Sequence, residues 1–465
     1  GIVALTSRTF VLQLIAFGAT FLLTIFLNPS TFGIFFVVSA IISFLSYFSD
    51  IGLAAALIQK KDGLSDEDLS TTFTIQQVLV VPLSIIAFVV APVIGKFYGL
   101  DGDGVVLFRA LVISFFFSSL KTIPSVLLER DLDFDKLVIP QIAETIGFYL
   151  VAVVMAWLGF GVTSFTWAVL TRAVIGLVLM YFISPWHIRI GISKPVAKRL
   201  LKFGLPFQMN SFLALLKDDL MIVFLGKILP FAQVGYIGWA KKWAEVPLRL
   251  IMDSVIRVTF PTFSRLQNSK ELLGTAIEKT LFGLSVTMIP ISVGLLFFVG
   301  PLVTLIPKYG KWEPALISFF LFVLAAILAG FSTPLTNALN AVGQIKTTMM
   351  LMVFWTIATW ILTVIFIYLI GFNGFALGLL LLTLSLGVVI RLTKQFAVFS
   401  FIPQVKWPLA AGLLQSGWYF IARGGSPYNN FQLIIVAVAG VILYGGVIWM
   451  TQKQRIMDII HMARA

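Results

Sequence analysis

The chain contains no cysteine and only two histidines, His187 and His461. Disulfides, zinc–thiolate sites and thiol catalysis are thereby excluded, and histidines so far apart and so peripheral form neither a metal centre nor a catalytic triad. Charge is scarce as well: 11% of the 465 residues are Asp, Glu, Lys or Arg. No phosphate-binding Gly-rich loop ending in Lys-Ser or Lys-Thr is present, so ATP is not an energy source within this chain. Nucleophile elbows and paired carboxylates in a roomy loop are also missing, which argues against an enzyme and implies no cofactor. The net charge of +13 is too diluted among apolar segments for a nucleic-acid footprint.

What the chain has is hydrophobicity, 59% of its residues, with a mean hydropathy of +1.02. At roughly 20 apolar residues per crossing, about fourteen membrane-spanning helices account for most of the length and leave no room for a large soluble domain. The chain starts at Gly1 rather than Met, so a short basic leader is expected before it. The first apolar stretch is expected to be retained as a helix rather than cleaved. The second span is expected over Thr31 to about Leu57, and the seventh over about Gly204 to Leu225.

An internal repeat is visible. Leu27, Pro29 and Gly33 are mirrored by Ile228-Leu229-Pro230 and Gly235, and Pro124 with Lys136 by Pro334 with Lys346. The offset of roughly 200 to 210 residues, with six spans per half, predicts an all-α membrane protein of two six-helix lobes related by a pseudo-two-fold axis along the membrane normal. The expected organisation is an N-terminal lobe over 1–185, a basic and amphipathic connector over 186–202, a C-terminal lobe over 203–399, and two extra helices with a tail over 400–465. One set of loops carries most of the Lys and Arg, while the other shows only Lys96, Lys227, Lys308, Lys311 and Arg423. The positive-inside rule therefore places both termini in the cytoplasm and the protein in the cytoplasmic membrane.

The eighth span, Gly235 to Leu266, departs from this apolar pattern. It carries Lys241, Glu245, Arg249, Asp253 and Arg257, one charge every four residues with alternating sign. Neighbours on a helix surface are four apart, so opposite charges would meet along a stripe. A single such group at the bilayer centre costs roughly 2.5–3.5 kcal/mol, which rules out five of them facing lipid. The stripe reads as a wall of a hydrated cavity, or as a self-neutralising ladder. Pro247 within it, and Pro206 at the start of the seventh span, are expected to free carbonyls and permit bending.

Several stretches carry a family likeness: LNPSTFG (27–33), DIGLAAALIQKKD (50–62), LLERDLDF (127–134), KFGLPFQMNSF (202–212), KDDLMIVFLG (217–226), the charged stretch 234–267 and YGKWEPA (309–315). In these the chain resembles the Wzx-type polysaccharide flippases of the multidrug/oligosaccharidyl-lipid/polysaccharide exporter superfamily, in the branch of the colanic acid and teichuronic acid exporters. The resemblance implies alternating access between two lobes. It also implies transfer of a polyprenyl-pyrophosphate-linked oligosaccharide to the outer leaflet, with polysaccharide polymerases and glycosyltransferases as partners.

On that reading a wet groove takes the glycan and diphosphate while the prenyl tail stays in lipid. Arg8, Lys217, Lys241, Lys242, Arg249 and Arg257 are the candidate cations for the diphosphate. Gln208 and Asn210 are candidates for sugar hydroxyls, and Asp218, Asp219 and Asp253 for coupling to a proton or sodium gradient. The bland readings stand beside these. Arg8 serves equally as a topology anchor, and Asp219 as an ion-pair partner of Lys217 or Lys241. Arg109 and Glu144 are expected to pair across packed helices, with Arg172 nearby. The loop ERDLDFDK is expected to act as a lid or cap, with Arg130 meeting a headgroup. A cation-driven exporter of small drugs from the same superfamily is the alternative function, and a membrane glycan polymerase or ligase the remote one. The first predicts an acidic, aromatic pocket, which the basic excess opposes.

Overall fold

The computed structural model describes residues 2–423 and 430–464, and every regular element among them is helical. The chain forms two compact units, Gly1–Gly235 and Tyr236–Ala465. The first holds α1 (Ile2–Phe26), α2 (Pro29–Asp50), α3 (Leu53–Gln59), α4 (Asp66–Tyr98), α5 (Gly102–Leu120), α6 (Thr122–Arg130), α7 (Phe134–Trp157), α8 (Thr163–Ile183), α9 (Lys194–Lys217) and α10 (Asp219–Ile228). Next come α11 (Phe231–Ala244), α12 (Val246–Leu266), α13 (Lys270–Leu305), a 3-10 turn (Gly310–Ala315), α14 (Leu316–Ala341) and α15 (Ile345–Ile370). The chain ends with α16 (Asn373–Thr383), α17 (Leu386–Thr393), α18 (Ile402–Arg423) and α19 (Asn430–Arg464).

Ten helices among the described residues are long and apolar enough to cross a membrane. Leu12–Phe26 of α1 is a shorter apolar helix, and the expected seventh, eighth and thirteenth spans fall outside the set. The seventh is divided between α9 and α10 at Asp218, and the eighth between α11 and α12 at Glu245. The expected second span is also divided. Ile51 and Gly52 take positive φ, 42° and 72°, and separate α2 from α3.

Local chemistry sets the helix ends. Ser65 and Asp68 form a capping box at the start of α4, satisfying donors that no preceding turn can reach. Asp101 caps α5 by accepting from the Gly104 amide at 2.8 Å. Asp133 likewise caps α7, accepting from the Lys136 amide at 3.4 Å, and this is the structural use of the ERDLDFDK loop. Arg130 turns back to donate to the carbonyls of Leu57 and Asp62, which fastens α6 to the loop after α3.

The basic connector differs from the expected amphipathic piece. Residues 185–193 are non-helical and lie along the first turns of α4. The amides of Gly191 and Ser193 donate to the hydroxyls of Thr74 and Thr71, each at 3.0 Å. Arg189 pairs with Asp66, and Arg199 with the fully buried Asp68, which Lys60 also contacts. Lys194 through Lys202 belong to α9 itself. The helix runs through position 206 without interruption and breaks only at Asp218.

Within the first unit α7 packs on α8, α5 on α8 and α4, and α2 on α5 and α10. In the second, α13 packs on α14 and α18, and α14 on α12 and α16. Trp239 stacks on Trp312 with ring centroids 5.4 Å apart and planes within 12°, and its indole N–H donates to the Tyr309 hydroxyl at 3.1 Å. This explains the aromatic content of YGKWEPA, since the stack buries apolar area and satisfies the indole donor.

The two helix starts that the repeat relates meet each other. A methyl group on Gly33 would lie 1.8 Å from the Phe231 carbonyl oxygen, and one on Gly235 would lie 1.9 Å from that of Pro29. The contact is reciprocal, with backbone on backbone, so no side chain can yield. Gly33→Ala is therefore expected to lower stability by about 3 kcal/mol. Gly294→Ala, with nothing within 4 Å, is expected to be neutral or to stabilise by about 0.5–1 kcal/mol. Melting of the two purified variants in detergent checks the difference.

Candidate functional site

A polar chamber opens from the apolar first unit, among α2, α3, α4, α5 and α6. Its volume is about 340 Å³, and its walls include Ser46, Ser49, Gln76, Ser118, Ser119, Lys121, Thr122 and Glu129, with the buried Phe115 beside them. The break between α5 and α6 makes it possible. Pro124 has no amide hydrogen to give the Leu120 carbonyl one turn back, and the Tyr181 hydroxyl donates to that carbonyl instead, at 2.9 Å. Lys121 sits at the junction with φ −89° and ψ 2°.

Behind the chamber wall Lys121 Nζ donates to Glu144 Oε1, and Arg172 Nε lies 3.5 Å from Glu144 Oε2. Glu144 is buried at 8% exposure. Gly176 on α8 is what admits it, because a methyl group there would fall 1.9 Å from Oε1. One carboxylate thus holds two cations from two other helices. Arg109 does not join them, contrary to expectation. Its Nε contacts the Phe88 carbonyl at 3.4 Å and its guanidinium lies over the Phe88 ring. Arg109 lies on α5, twelve positions before Lys121, and it is Lys121 at the junction that meets Glu144.

The chamber is rich in acceptors. The hydroxyls of Ser46 and Ser49 already donate to carbonyls three residues back, at 2.8 and 2.6 Å, which leaves their lone pairs available, while Ser119 donates to the Phe116 carbonyl at 2.7 Å and accepts from Gln77 Nε2 at 3.1 Å. Gln76 donates to Thr122 Oγ1 at 3.0 Å, yet its own Oε1 is buried with no hydrogen-bond partner among the described residues. A buried acceptor without a donor costs roughly 1–3 kcal/mol, and this one is sealed behind the chamber wall rather than open to it.

The residues singled out in the sequence fall elsewhere. Gln208 Nε2 donates to the Tyr47 carbonyl at 2.8 Å, and the Tyr47 hydroxyl donates to the Gln208 carbonyl at 2.6 Å. This side chain staples α9 to α2. Lys217, Asp218 and Asp219 cluster at the α9–α10 break, each engaged with neighbours. Lys241 and Lys242 lie half-buried in the last turn of α11, and Glu245 forms the break itself. Pro247 stands in the first turn of α12, where a missing amide hydrogen is harmless. Of the expected ladder, Arg249 Nη2 contacts Glu245 Oε2 at 2.9 Å, and Arg257 is exposed. The side chains of Arg8, Asn210 and Asp253 lie outside the described residues.

The sequence reading did not single out Gln76, Lys121 or the serines. A signal existed: a lone Lys closing the apolar run of α5, flanked by Ser118-Ser119 and Pro124, with Gln76-Gln77 inside the third span. Lys121→Met is expected to destabilise the chain by about 3 kcal/mol, because it removes one of the two cations on a buried carboxylate. Adding Glu144→Gln is expected to recover most of that loss. Paired melting curves of the single and double variants check the coupling.

Residues 22–317 match the family described as polysaccharide biosynthesis protein. The chain is 22% identical to the succinoglycan biosynthesis transport protein ExoT of Rhizobium meliloti, covering 94% of this chain and 90% of that one. It is 24% identical to the lipopolysaccharide biosynthesis protein WzxC of Escherichia coli, over 89% and 82% of the two chains. Among solved structures, the lipid II flippase MurJ in an inward closed conformation superposes with a TM-score of 0.76 at 16% identity, over 96% of this chain and 99% of that one. An inward-facing multidrug resistance transporter of the MATE family superposes at 0.63, also at 16% identity, over 81% and 93%.

Proposed function

The chain belongs to the polysaccharide biosynthesis protein family, and on that premise we propose that it is a flippase. It moves a polyprenyl-pyrophosphate-linked oligosaccharide from the cytoplasmic to the outer leaflet by alternating access, with both termini in the cytoplasm. The observation that carries this reading is the acceptor-rich chamber around Gln76 and Lys121 within a bundle of apolar helices. A sugar offers many hydroxyl donors, and its transfer through hydrocarbon without such partners is prohibitive. The relatives' names support the class of cargo: one is a transport protein of succinoglycan biosynthesis, a glycan, and the other belongs to the biosynthesis of lipopolysaccharide, a glycolipid.

In this scheme the candidate cations for the diphosphate are Arg8 and Lys217 in the first unit and Lys241, Lys242, Arg249 and Arg257 in the second, the arginines acting as forks and the lysines as point charges. Asn210 joins the sugar contacts, while Gln208 serves mainly to hold α9 against α2. The breaks at Asp218 and Glu245 provide hinges, since non-helical joints absorb rotation that a packed helix cannot. Asp218, Asp219 and Asp253 supply coupling to a proton or sodium gradient. No bond is made or broken in the cycle, and polymerases and glycosyltransferases of the same pathway are its partners. The small-molecule exporter shares the fold, but the chamber has a lysine and a single carboxylate where a drug cation would need acidic walls.

In cells whose own copy is deleted, Lys241→Ala with Arg249→Ala is expected to reduce surface glycan at least tenfold at unchanged protein level. Normal surface glycan would remove the diphosphate clamp from the scheme. Gln76→Leu is expected to give a comparable deficit with an unaltered melting temperature. With both ion gradients clamped at zero in proteoliposomes, net transport is expected to fall to the passive rate, and an unchanged rate would reject the coupling role of the aspartates.

A further inference from the structure

The non-helical segment between α8 and α9 has one side fastened to the protein and one side bare. The amides of Gly191 and Ser193 donate to the hydroxyls of Thr74 and Thr71, each at 3.0 Å. Two donors at alternate positions on one neighbour are the spacing of an extended chain, in which successive side chains face opposite ways. A methyl group on Gly191 would lie 3.4 Å from Ser70 Oγ, so that face is turned to α4. Ile188, Ile190 and Ile192 occupy the other face, and they are 54%, 83% and 62% exposed.

Charge is sorted in the same manner. Arg189 and Arg199 turn inward, to Asp66 and to the buried Asp68. Lys194, Lys198 and Lys202 recur every four residues on α9, which keeps them within about 80° of its circumference. All three are exposed, and among the described residues none forms an ion pair.

Depth identifies what this side meets. α4 has 33 residues, about 50 Å at 1.5 Å per residue, against about 30 Å of hydrocarbon. Centred in a bilayer, it overhangs by about 10 Å at each end. Thr71 and Thr74 lie about 8 and 12 Å from its start, so the amides bonded to them sit at the hydrocarbon boundary. α9 does not descend from there in its first two turns. A descent would carry Arg199 about 9 Å deeper than Ser193, beyond reach of Asp68, which is nearer the start of α4 than Thr71. The lysines therefore stay in the layer of lipid phosphates.

The second unit holds a counterpart. α13 has 36 residues, about 54 Å, and overhangs by about 12 Å at each end. The non-helical residues 397–400 lie along its first turns. There the Val398 amide donates to the Lys270 carbonyl at 3.0 Å, and the Ser400 amide to Glu278 Oε1 at 2.7 Å. Val398 is 63% exposed, and Lys394 shortly before it is exposed as well.

We propose that the connector of the first unit is an in-plane anchor that binds an anionic lipid surface. Ile188, Ile190 and Ile192 enter the boundary between headgroups and acyl chains, and Lys194, Lys198 and Lys202 meet lipid phosphates. A protein partner would have to enter the headgroup layer to cover the isoleucines, and bulk water would leave them bare. The anchor fixes the start of α9 at one depth, whatever the cargo.

The chain has no cysteine, so a single introduced cysteine can carry an environment-sensitive fluorophore. Ile188→Cys, Ile190→Cys and Ile192→Cys, with Gly63→Cys in an exposed loop as the control, are labelled and reconstituted in vesicles of equal parts phosphatidylcholine and phosphatidylglycerol. A lipid nitroxide near the top of the acyl chain is expected to quench the three isoleucine positions at least threefold more than Gly63, and aqueous acrylamide to quench them less. At equal mole fraction, nitroxide-labelled phosphatidylglycerol is expected to quench the Ile190 position at least twofold more than labelled phosphatidylcholine. That ratio is expected to fall to one in molar salt, and likewise with Lys194→Gln, Lys198→Gln and Lys202→Gln combined. Acrylamide quenching equal to that at Gly63 would place the isoleucines in water, and shielding from both quenchers would place them against protein; either result overturns the anchor. A ratio of one at low salt with the lysines intact overturns the choice of an anionic lipid. The salt comparison needs no lysine variant, so it decides the matter alone if the triple variant fails to fold.

Discussion

The attraction of two cations, Lys121 and Arg172, for one buried carboxylate, Glu144, is the contact on which the first unit depends. Nothing in hydrocarbon solvates an ion, so a charge placed there must find its partner within the protein. Glu144 meets that demand by joining three helices, α7 through its own backbone, α8 through Arg172, and the α5–α6 junction through Lys121. Gly176 gives up its side chain to make the space. The junction held in this way cannot close into a continuous helix. The chamber beside it, with Gln76 and the serine hydroxyls, persists for the same reason. A polar cavity in an apolar bundle is thus a consequence of one ion cluster and one proline.

Much of the architecture was legible because the membrane simplifies the code. Apolar runs of about 20 residues can be little other than helices, and the ends marked by Ser65, Asp101, Asp133 and Ser269 follow ordinary capping chemistry. The likeness of Leu27–Gly33 to Ile228–Gly235 was visible as spacing. That the two glycines face each other's backbone was not, since spacing carries no information on which helices cross. Breaks were harder. Pro206 and Pro247 mark where amide hydrogens are missing, yet α9 runs through the first, and α12 accommodates the second in its opening turn. One interruption, at Asp218, falls away from any proline; the other, at Glu245, lies two residues before Pro247, whose missing amide hydrogen leaves the Trp243 carbonyl without its helical donor and opens a new helix.

The chamber itself was not legible in the sequence. Alternating charge in a span signals buried function, and it drew attention to Lys241 through Arg257. The neutral groups carried no comparable signal. Serine, threonine and glutamine occur in membrane helices for many reasons, and only the fold brings Ser46, Gln76 and Ser119 around one space. Arg109 and Glu144 show the same limit: opposite charges in adjacent spans suggest a pair, but the pairing is decided by which helix face and depth each occupies. Lys121 is the cation that meets Glu144, and Arg109 turns to the Phe88 ring and carbonyl on α4.

The most direct measurement is transbilayer movement of a lipid-linked oligosaccharide, labelled on its glycan, in liposomes that hold the purified chain and an imposed ion gradient. Access of a membrane-impermeant quencher to the label reports which leaflet the glycan occupies. A time-dependent change in the quenched fraction, seen only with protein and slowed at least tenfold by Gln76→Leu, is the expected result. A quenched fraction that stays at the value of protein-free liposomes would contradict the account.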